Sequence, residues 1–157
     1  MEMQQSVVLV KPDGLQRGLV GEIISRFERK GLKLVALKMM NLSDEQLENW
    51  YSHHKDKPFF PKLRSFMQQT PVVAMLWEGV ECIDAVRKLT GITKAREAEA
   101  GSIRGDLAMS QQLNLIHASD GEESAARERD LIFEDSEVYA YQKDSEVFVY
   151  SEEERAG

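Results

Sequence analysis

The sequence is short of cysteine and of long apolar runs, and each shortage excludes a class of protein. Cys82 is the only cysteine, which rules out an internal disulfide framework and fits a reducing compartment. No apolar run approaches the roughly 20 residues that span a bilayer, and the N-terminus lacks the basic and apolar parts of a secretory signal. We therefore expect a soluble, cytoplasmic protein with no membrane partner.

Basic residues are also outnumbered by acidic ones. The 20 Lys and Arg residues stand against 27 Asp and Glu, which gives a formal net charge of −7. This balance makes nucleic acid an unlikely main partner but leaves room for a small phosphorylated ligand in a local cationic pocket. With 157 residues, 42% of them hydrophobic, the chain can bury the core of a single domain spanning 1–157. We expect its acidic end, 151–157, to be a flexible tail.

Several common catalytic motifs are missing. There is no G-x-x-x-x-G-K-[ST] and no G-x-G-x-x-G, so neither a P-loop nor a Rossmann phosphate cradle is present. The protein-kinase motifs, the G-x-S-x-G elbow and H-E-x-x-H are missing too. A protein of this sequence that handles phosphate must therefore use dispersed side-chain cations and a bound metal.

Hydrophobic patterning predicts four strands and five helices. The strands fall at 6–10, 34–40, 72–77 and around 115–116. Three of the helices fall at 20–30, 59–67 and 83–90. Another begins at a capping box at 43–46, and the last runs to 132 from Asp120 and Glu123 as caps. Residues 11–14 have the composition of a turn, 92–105 that of a long loop, and 147–149 look strand-like. The order β-α-β-(α-α)-β-α-β predicts an α+β fold, an α/β sandwich of ferredoxin-like βαββαβ type. Its four-stranded sheet would be antiparallel, with helices packed on one face.

Three short segments could carry chemistry. Lys11-Pro12-Asp13-Gly14 follows a buried strand, and Gly101 to Asp106 brackets Arg104 between two glycines. Each of these cations alone is better read as a surface residue. The third segment, Asn114 to Asp120, contains His117 after two apolar residues, where an isolated histidine is more often a hydrogen-bonded core residue.

The helix behind His117 changes that balance. Ala125, Glu128 and Ile132 are spaced i, i+3 and i+7, so Glu128 lies in the stripe that should be buried. A buried carboxylate needs a partner. Glu128 could reach His117, fix its tautomer and orient its ring, as expected beside a nucleophilic histidine.

Taken together, five ordered motifs resemble the nucleoside diphosphate kinase family. They are V-K-P-D-G-L-Q-R-G-L-V-G-E-I-I, D-K-P-F-F, P-V-V-A-M-L-W-E-G, G-S-I-R-G-D and N-L-I-H-A-S-D, and the resemblance runs from about residue 6 to 132. It implies a reversible ping-pong enzyme of low base specificity. The γ-phosphoryl group of a nucleoside triphosphate would pass to His117 and then to a nucleoside diphosphate.

The resemblance also implies a role for each matching residue. Four residues would neutralise or hydrogen-bond the phosphates: Lys11, Arg87, Thr93 and Arg104. Mg²⁺ would be held mainly by the phosphates, with no direct protein ligand. Tyr51 would lie near the phosphates, although core packing suits it equally, and Phe59 would stack on the base, with Phe60 in the core. Asn114 and Lys11 would contact the ribose, and Ser119 and Glu128 would support His117.

The chain departs from the family at Gln112-Leu113, at Lys94-Ala95-Arg96 and at Glu99-Ala100. Because the family's long loop takes part in subunit contacts, these departures bear on assembly: we expect a homo-oligomer, with a hexamer favoured and a tetramer possible. Two other functions remain open at this stage. One is a nucleotide-sensing module without turnover, and the other is a protein histidine phosphotransfer partner, which would not need Phe59 and Asn114.

Overall fold

The four strands form one antiparallel sheet in the order β2-β3-β1-β4. In the computed structural model, which describes residues 2–157, they are β1 Met3–Val10, β2 Lys33–Met40, β3 Val72–Val80 and β4 Ile116–Ala118. Helices connect β1 to β2 and β3 to β4. Together with the strand order, these connections confirm the predicted ferredoxin-like α+β fold.

Eight α-helices occur among the described residues. They are α1 Pro12–Gln16, α2 Val20–Lys30, α3 Asp44–Trp50, α4 Phe60–Met67, α5 Cys82–Thr90, α6 Ile103–Leu107, α7 Glu122–Ile132 and α8 Glu152–Ala156. Local signals set several of their ends. Ser43 and Gln46 form the predicted capping box of α3, and α2 ends at Gly31, whose φ of 104° is left-handed.

Helices cover both faces of the sheet, so the prediction of helices on one face was wrong. α2 and α5 pack on one face through Ile23, Phe27 and Val86. α3, α4 and α7 pack on the other. The cause is visible in β1, where four successive side chains, Val7 to Val10, are all buried, which requires cover on both sides.

Several local predictions also need correction. The 11–14 turn is the start of α1, with Pro12 at the first helical position, and the 92–105 loop contains a 3-10 turn at Ala95–Glu97 and the start of α6. The strand-like 147–149 segment lies at the end of a 3-10 turn, Asp144–Phe148. Asp120 and Glu123 do not cap α7: its N-cap is Gly121, whose N–H donates to Ser124 Oγ.

The acidic end of the chain has a helical backbone, because α8 begins with a capping box formed by Ser151 and Glu154. Its flexibility, and the single domain spanning 1–157, remain predictions. Within 2–157, no helix is both long and apolar enough to cross a membrane.

Candidate active site

His117 lies in the middle of β4, opposite Leu9 of β1, with its side chain 24% exposed. Its Nε2 lies 3.0 Å from Oε2 of Glu128 on α7, and its ring meets the edge of Trp50 at 5.0 Å. A carboxylate can only accept a hydrogen bond, so this contact puts the imidazole proton on Nε2. The lone pair of the neutral ring is then on Nδ1.

The carboxylate of Glu128 is itself held in place by burial and hydrogen bonding. It is 3% exposed, and its second oxygen accepts a hydrogen bond from Ser119 Oγ at 2.7 Å. Ser119 Oγ in turn accepts from the backbone N–H of Val7 at 3.0 Å. Both oxygens of the buried carboxylate are therefore bonded, and the contacts tie α7 to β4 and β1.

Tyr51 directly follows α3, and the charge of the same carboxylate acts on its phenol. Burial raises the pKa of its phenol to about 12, and the negative charge of Glu128 adds to the increase. Tyr51 is thus a neutral hydroxyl, able to donate a hydrogen bond, on the Glu128 side of the site.

Lys11, Arg87 and Arg104 form a cationic group contributed by three elements. Burial lowers the pKa of Lys11 to about 8; the charge of Asp13 opposes this and the charge of Arg104 adds to it. Burial and the charge of Arg87 lower the pKa of Arg104 to about 10, against the opposing charge of Asp13. The three residues also hydrogen-bond to backbone carbonyls between Asn114 and Ala118, so their charges lie around one short segment and attract an anion.

Arg104 is also a structural bridge. It is 5% exposed, and its guanidinium donates to three backbone carbonyls: Asn114 at 3.2 Å, Gly91 at 2.9 Å and Ile116 at 2.6 Å. A guanidinium has more N–H groups than these bonds use, so some remain for a ligand. Arg87, by contrast, is exposed and makes one long bond, 3.5 Å, to the carbonyl of Ala118.

Asn114 is held between two loops. Its Nδ2 donates to the carbonyls of Thr93 at 3.1 Å and Gln111 at 2.9 Å, while its buried Oδ1 has no hydrogen-bond partner among the described residues. Thr93 itself is exposed. The structure thus brings these two predicted residues together with Arg104 beside β4.

Phe59 stands apart from this group. It precedes α4, is 51% exposed and has its ring 5.5 Å from that of His54. Phe60 is 3% exposed and packs in the core, which confirms the prediction for that residue. An exposed aromatic face is suited to stacking on a flat ligand.

Sequence reasoning missed three neighbours of the site. Trp50 had no assigned role, and Asp13 was read only as part of a turn, although its Oδ2 accepts from the backbone N–H of Leu115 at 3.0 Å. Asp120 is not a cap. Its hydrogen bond from Ser124 lowers the pKa of its carboxyl, and the charges of Arg87 and His117 act in the same direction. No local sequence signal places these side chains here.

The chemistry open to this arrangement is narrow. The side chain of His117 is 24% exposed and keeps one ring nitrogen outside the contact with Glu128, and the nearby cations favour a strongly anionic ligand. No group of three or more His, Cys, Asp or Glu within 2–157 could hold a metal ion. Together with the ferredoxin-like sheet, these features indicate a phosphotransferase.

Comparisons with known proteins identify the family. A model of the nucleoside diphosphate kinase family matches residues 4–138. The nucleoside diphosphate kinase of Staphylothermus marinus is 53% identical over 138 residues, which cover 88% of this chain and 98% of that protein. That of Carboxydothermus hydrogenoformans is 49% identical over 148 residues, covering 94% and 99%.

A solved structure agrees. The halophilic nucleoside diphosphate kinase of Halobacterium salinarum, in complex with CDP, matches with a TM-score of 0.91 and 44% identity, over 96% of this chain and 100% of that one. The chain belongs to the nucleoside diphosphate kinase family, and the resemblance noted from its motifs is confirmed.

Proposed function

We propose that this nucleoside diphosphate kinase works by a ping-pong cycle in which Nδ1 of His117 carries the phosphoryl group. The observation that supports this most directly is the 3.0 Å contact between His117 Nε2 and Glu128. It engages one ring nitrogen with a buried carboxylate and leaves the other free to attack.

In the first half-reaction, the lone pair of Nδ1 forms a bond to the γ-phosphorus of a nucleoside triphosphate. The bond from that phosphorus to the β–γ bridging oxygen breaks, and its electron pair leaves with the diphosphate. The proton stays on Nε2, where the charge of Glu128 stabilises the cationic ring. The second half-reaction is the reverse, with a different diphosphate as acceptor.

The cations supply the charge stabilisation. Lys11, Arg87 and Arg104 would neutralise the phosphate oxygens, with hydrogen bonds from Thr93 and Tyr51. Mg²⁺ would be held mainly by the phosphates of the bound nucleotide, with no direct protein ligand. It would reduce the negative charge on the phosphate oxygens and so favour transfer.

The nucleoside would bind between Phe59 and Asn114. The exposed ring of Phe59 would stack on the base, which suits low base specificity because every base has a π-face. The unpartnered Oδ1 of Asn114 is an acceptor for a ribose hydroxyl, with Lys11 as the second contact. The CDP in the Halobacterium salinarum structure supports a site of this kind in the present chain.

We further propose that the chain acts in the cytoplasm as a single domain and assembles into a homo-oligomer, with a hexamer favoured over a tetramer. The single, buried Cys82 is compatible with a reducing compartment. A native mass separates the two assemblies.

The test of the function is transfer through His117. Incubation with γ-³²P-labelled ATP and Mg²⁺ should label the protein through an acid-labile, base-stable bond, and His117→Ala should abolish the label. Unlabelled diphosphates of several bases should then discharge it. Labelling that survives His117→Ala would overturn the nucleophile, and a label that no diphosphate removes would favour a protein phosphotransfer partner.

A further inference from the structure

Leu115, two residues before His117, has an unusual backbone. Its φ is 77°, in the left-handed region that residues other than glycine rarely adopt, and the N–H of Ile116 donates to the carbonyl of Asn114 at 2.9 Å. A hydrogen bond between residues i+2 and i around a positive φ is a γ-turn, a strained conformation. Such a turn persists only where surrounding contacts hold it.

Those contacts come from α1. The carboxylate of Asp13 accepts from the N–H of Leu115 at 3.0 Å, and the N–H of Lys11 donates to the carbonyl of Leu115 at 2.9 Å. Gly14 lets α1 approach this closely, because a Cβ there would lie 3.0 Å from the same carbonyl. Both polar groups of the Leu115 backbone are thus held by one short segment.

Asp13 also brings a charge into the site. Its second oxygen, Oδ1, is buried and has no hydrogen-bond partner among the described residues. Its negative charge opposes the lowering of the pKa that burial causes at Lys11 and at Arg104. The negative charge of Asp13, itself half-buried, offsets the repulsion between the half-buried Lys11 and the buried Arg104.

We propose that Asp13 is a positioning residue for the phosphoryl transfer, with two separable roles. Its hydrogen bond holds the γ-turn that sets Asn114 and His117 in place, and its charge lets Lys11 and Arg104 remain cationic side by side. The proposal rests on the proposed function, since it takes His117 as nucleophile and Lys11 as a phosphate ligand.

Two variants separate the roles. Asp13→Asn keeps an oxygen that can accept from Leu115 but removes the charge, whereas Asp13→Ala removes both. Glu137→Gln is the matched control, because Glu137 also accepts from a backbone N–H, that of Glu134, and also pairs with a lysine, Lys38, away from the site. All three should be assayed for kcat and kcat/KM from pH 6 to 10, with Tm recorded at each pH.

The direction of the pH effect follows from the charge of Asp13. It raises the pKa of Lys11 against burial, to a value of about 8. Lys11 binds phosphate only when protonated, so activity falls as the pH rises through this pKa. Removing the charge lowers the pKa, and the basic limb of kcat/KM in Asp13→Asn should shift to lower pH.

At pH 6, Asp13→Asn should therefore keep most of the wild-type kcat, while Asp13→Ala should lose about 10- to 100-fold through misplacement of His117. Glu137→Gln should match the wild type throughout. Three results would each overturn the proposal. They are an unshifted basic limb of kcat/KM in Asp13→Asn, a wild-type kcat in Asp13→Ala, and losses of activity that only follow the fraction of unfolded protein. If any of these results were found while His117→Ala still abolished labelling, the positioning role of Asp13 would be refuted and the proposed function would stand.

Discussion

At the scale of single residues, the site depends on which nitrogen of His117 faces Glu128. Nδ1 and Nε2 are equally competent in an isolated imidazole, and a buried, doubly bonded carboxylate decides between them. The identity of the residue at 128 should thus control the tautomer of His117 more than the stability of the fold.

Replacing Glu128 by glutamine should expose this control. The amide oxygen can still accept from Ser119, which turns the amide N–H₂ towards His117 Nε2. That nitrogen must then accept, so its proton moves to Nδ1 and blocks the nucleophile. Single-turnover phosphorylation should slow by roughly 10³- to 10⁴-fold, the size expected of a catalytic histidine in the wrong tautomer.

The control for this prediction is Glu123→Gln, an exposed position on the same helix, which should phosphorylate at the wild-type rate. ¹⁵N chemical shifts of the imidazole should report the change of tautomer directly. Fast phosphorylation in Glu128→Gln would show that Glu128 is only a packing residue.

At the scale of elements, the sequence predicts what local interactions decide. The capping box of α3 and the glycine end of α2 were found at the predicted positions, because each depends on residues within a turn of one another. The extent of β4 and the existence of α6 could not be predicted in this way. β4 has three residues, and Arg104 of α6 is held by carbonyls that the chain brings back from Gly91, Asn114 and Ile116.

The same distinction applies to the site. The i, i+3, i+7 spacing was enough to predict that Glu128 is buried, and ordered motifs were enough to select the cations. Asp13 and Trp50 were out of reach because their partners are distant in sequence: Asp13 bonds Leu115, 102 positions away. Single-sequence periodicity carries no information on contacts of that range.

Gly105 gives a test at this scale. A Cβ there would clash with the carbonyl oxygen of Glu99, so Gly105→Ala must displace α6, which carries Arg104, from the segment around Glu99. Overpacking of this kind costs about 1–3 kcal/mol, and each kcal/mol lowers Tm by about 2–4 °C in a domain of this size. We expect a lower Tm by calorimetry and a lower kcat/KM, as Arg104 loses its carbonyl partners.

Gly121→Ala is the matched comparison. Its φ of −176° is extended backbone that any residue adopts, and nothing lies within 4 Å of its Cβ position. This variant should keep the wild-type kcat/KM and lose at most about 1 kcal/mol of stability, because alanine is a poorer N-cap than glycine. If Gly105→Ala behaved the same way, α6 would not be tightly packed around Glu99, and Arg104 would not depend on it.

At the scale of the whole molecule, one edge of the sheet is only half covered. β2 is an edge strand, and the C-terminal segment bonds its first half: Tyr139 N–H donates to Val35 at 2.9 Å and Tyr141 Oη donates to Leu34 at 2.6 Å. Its second half carries Leu37 and Met39, which are 50% and 60% exposed. Uncovered edge strands with apolar side chains favour pairing with another chain. In the expected homo-oligomer, a second copy of this chain would be that partner.

We therefore expect Met39→Lys to weaken subunit assembly. Met39 is exposed in the single chain, so a lysine there should leave the fold stable, but burying its charge at a contact between two copies would be costly. Native mass spectrometry should show smaller species than the wild type at equal concentration. Met3→Lys, an exposed apolar position at the start of β1, should retain the wild-type mass. An unchanged mass in Met39→Lys would rule out the β2 edge as a subunit contact, and a monomeric wild type would rule out the oligomer itself.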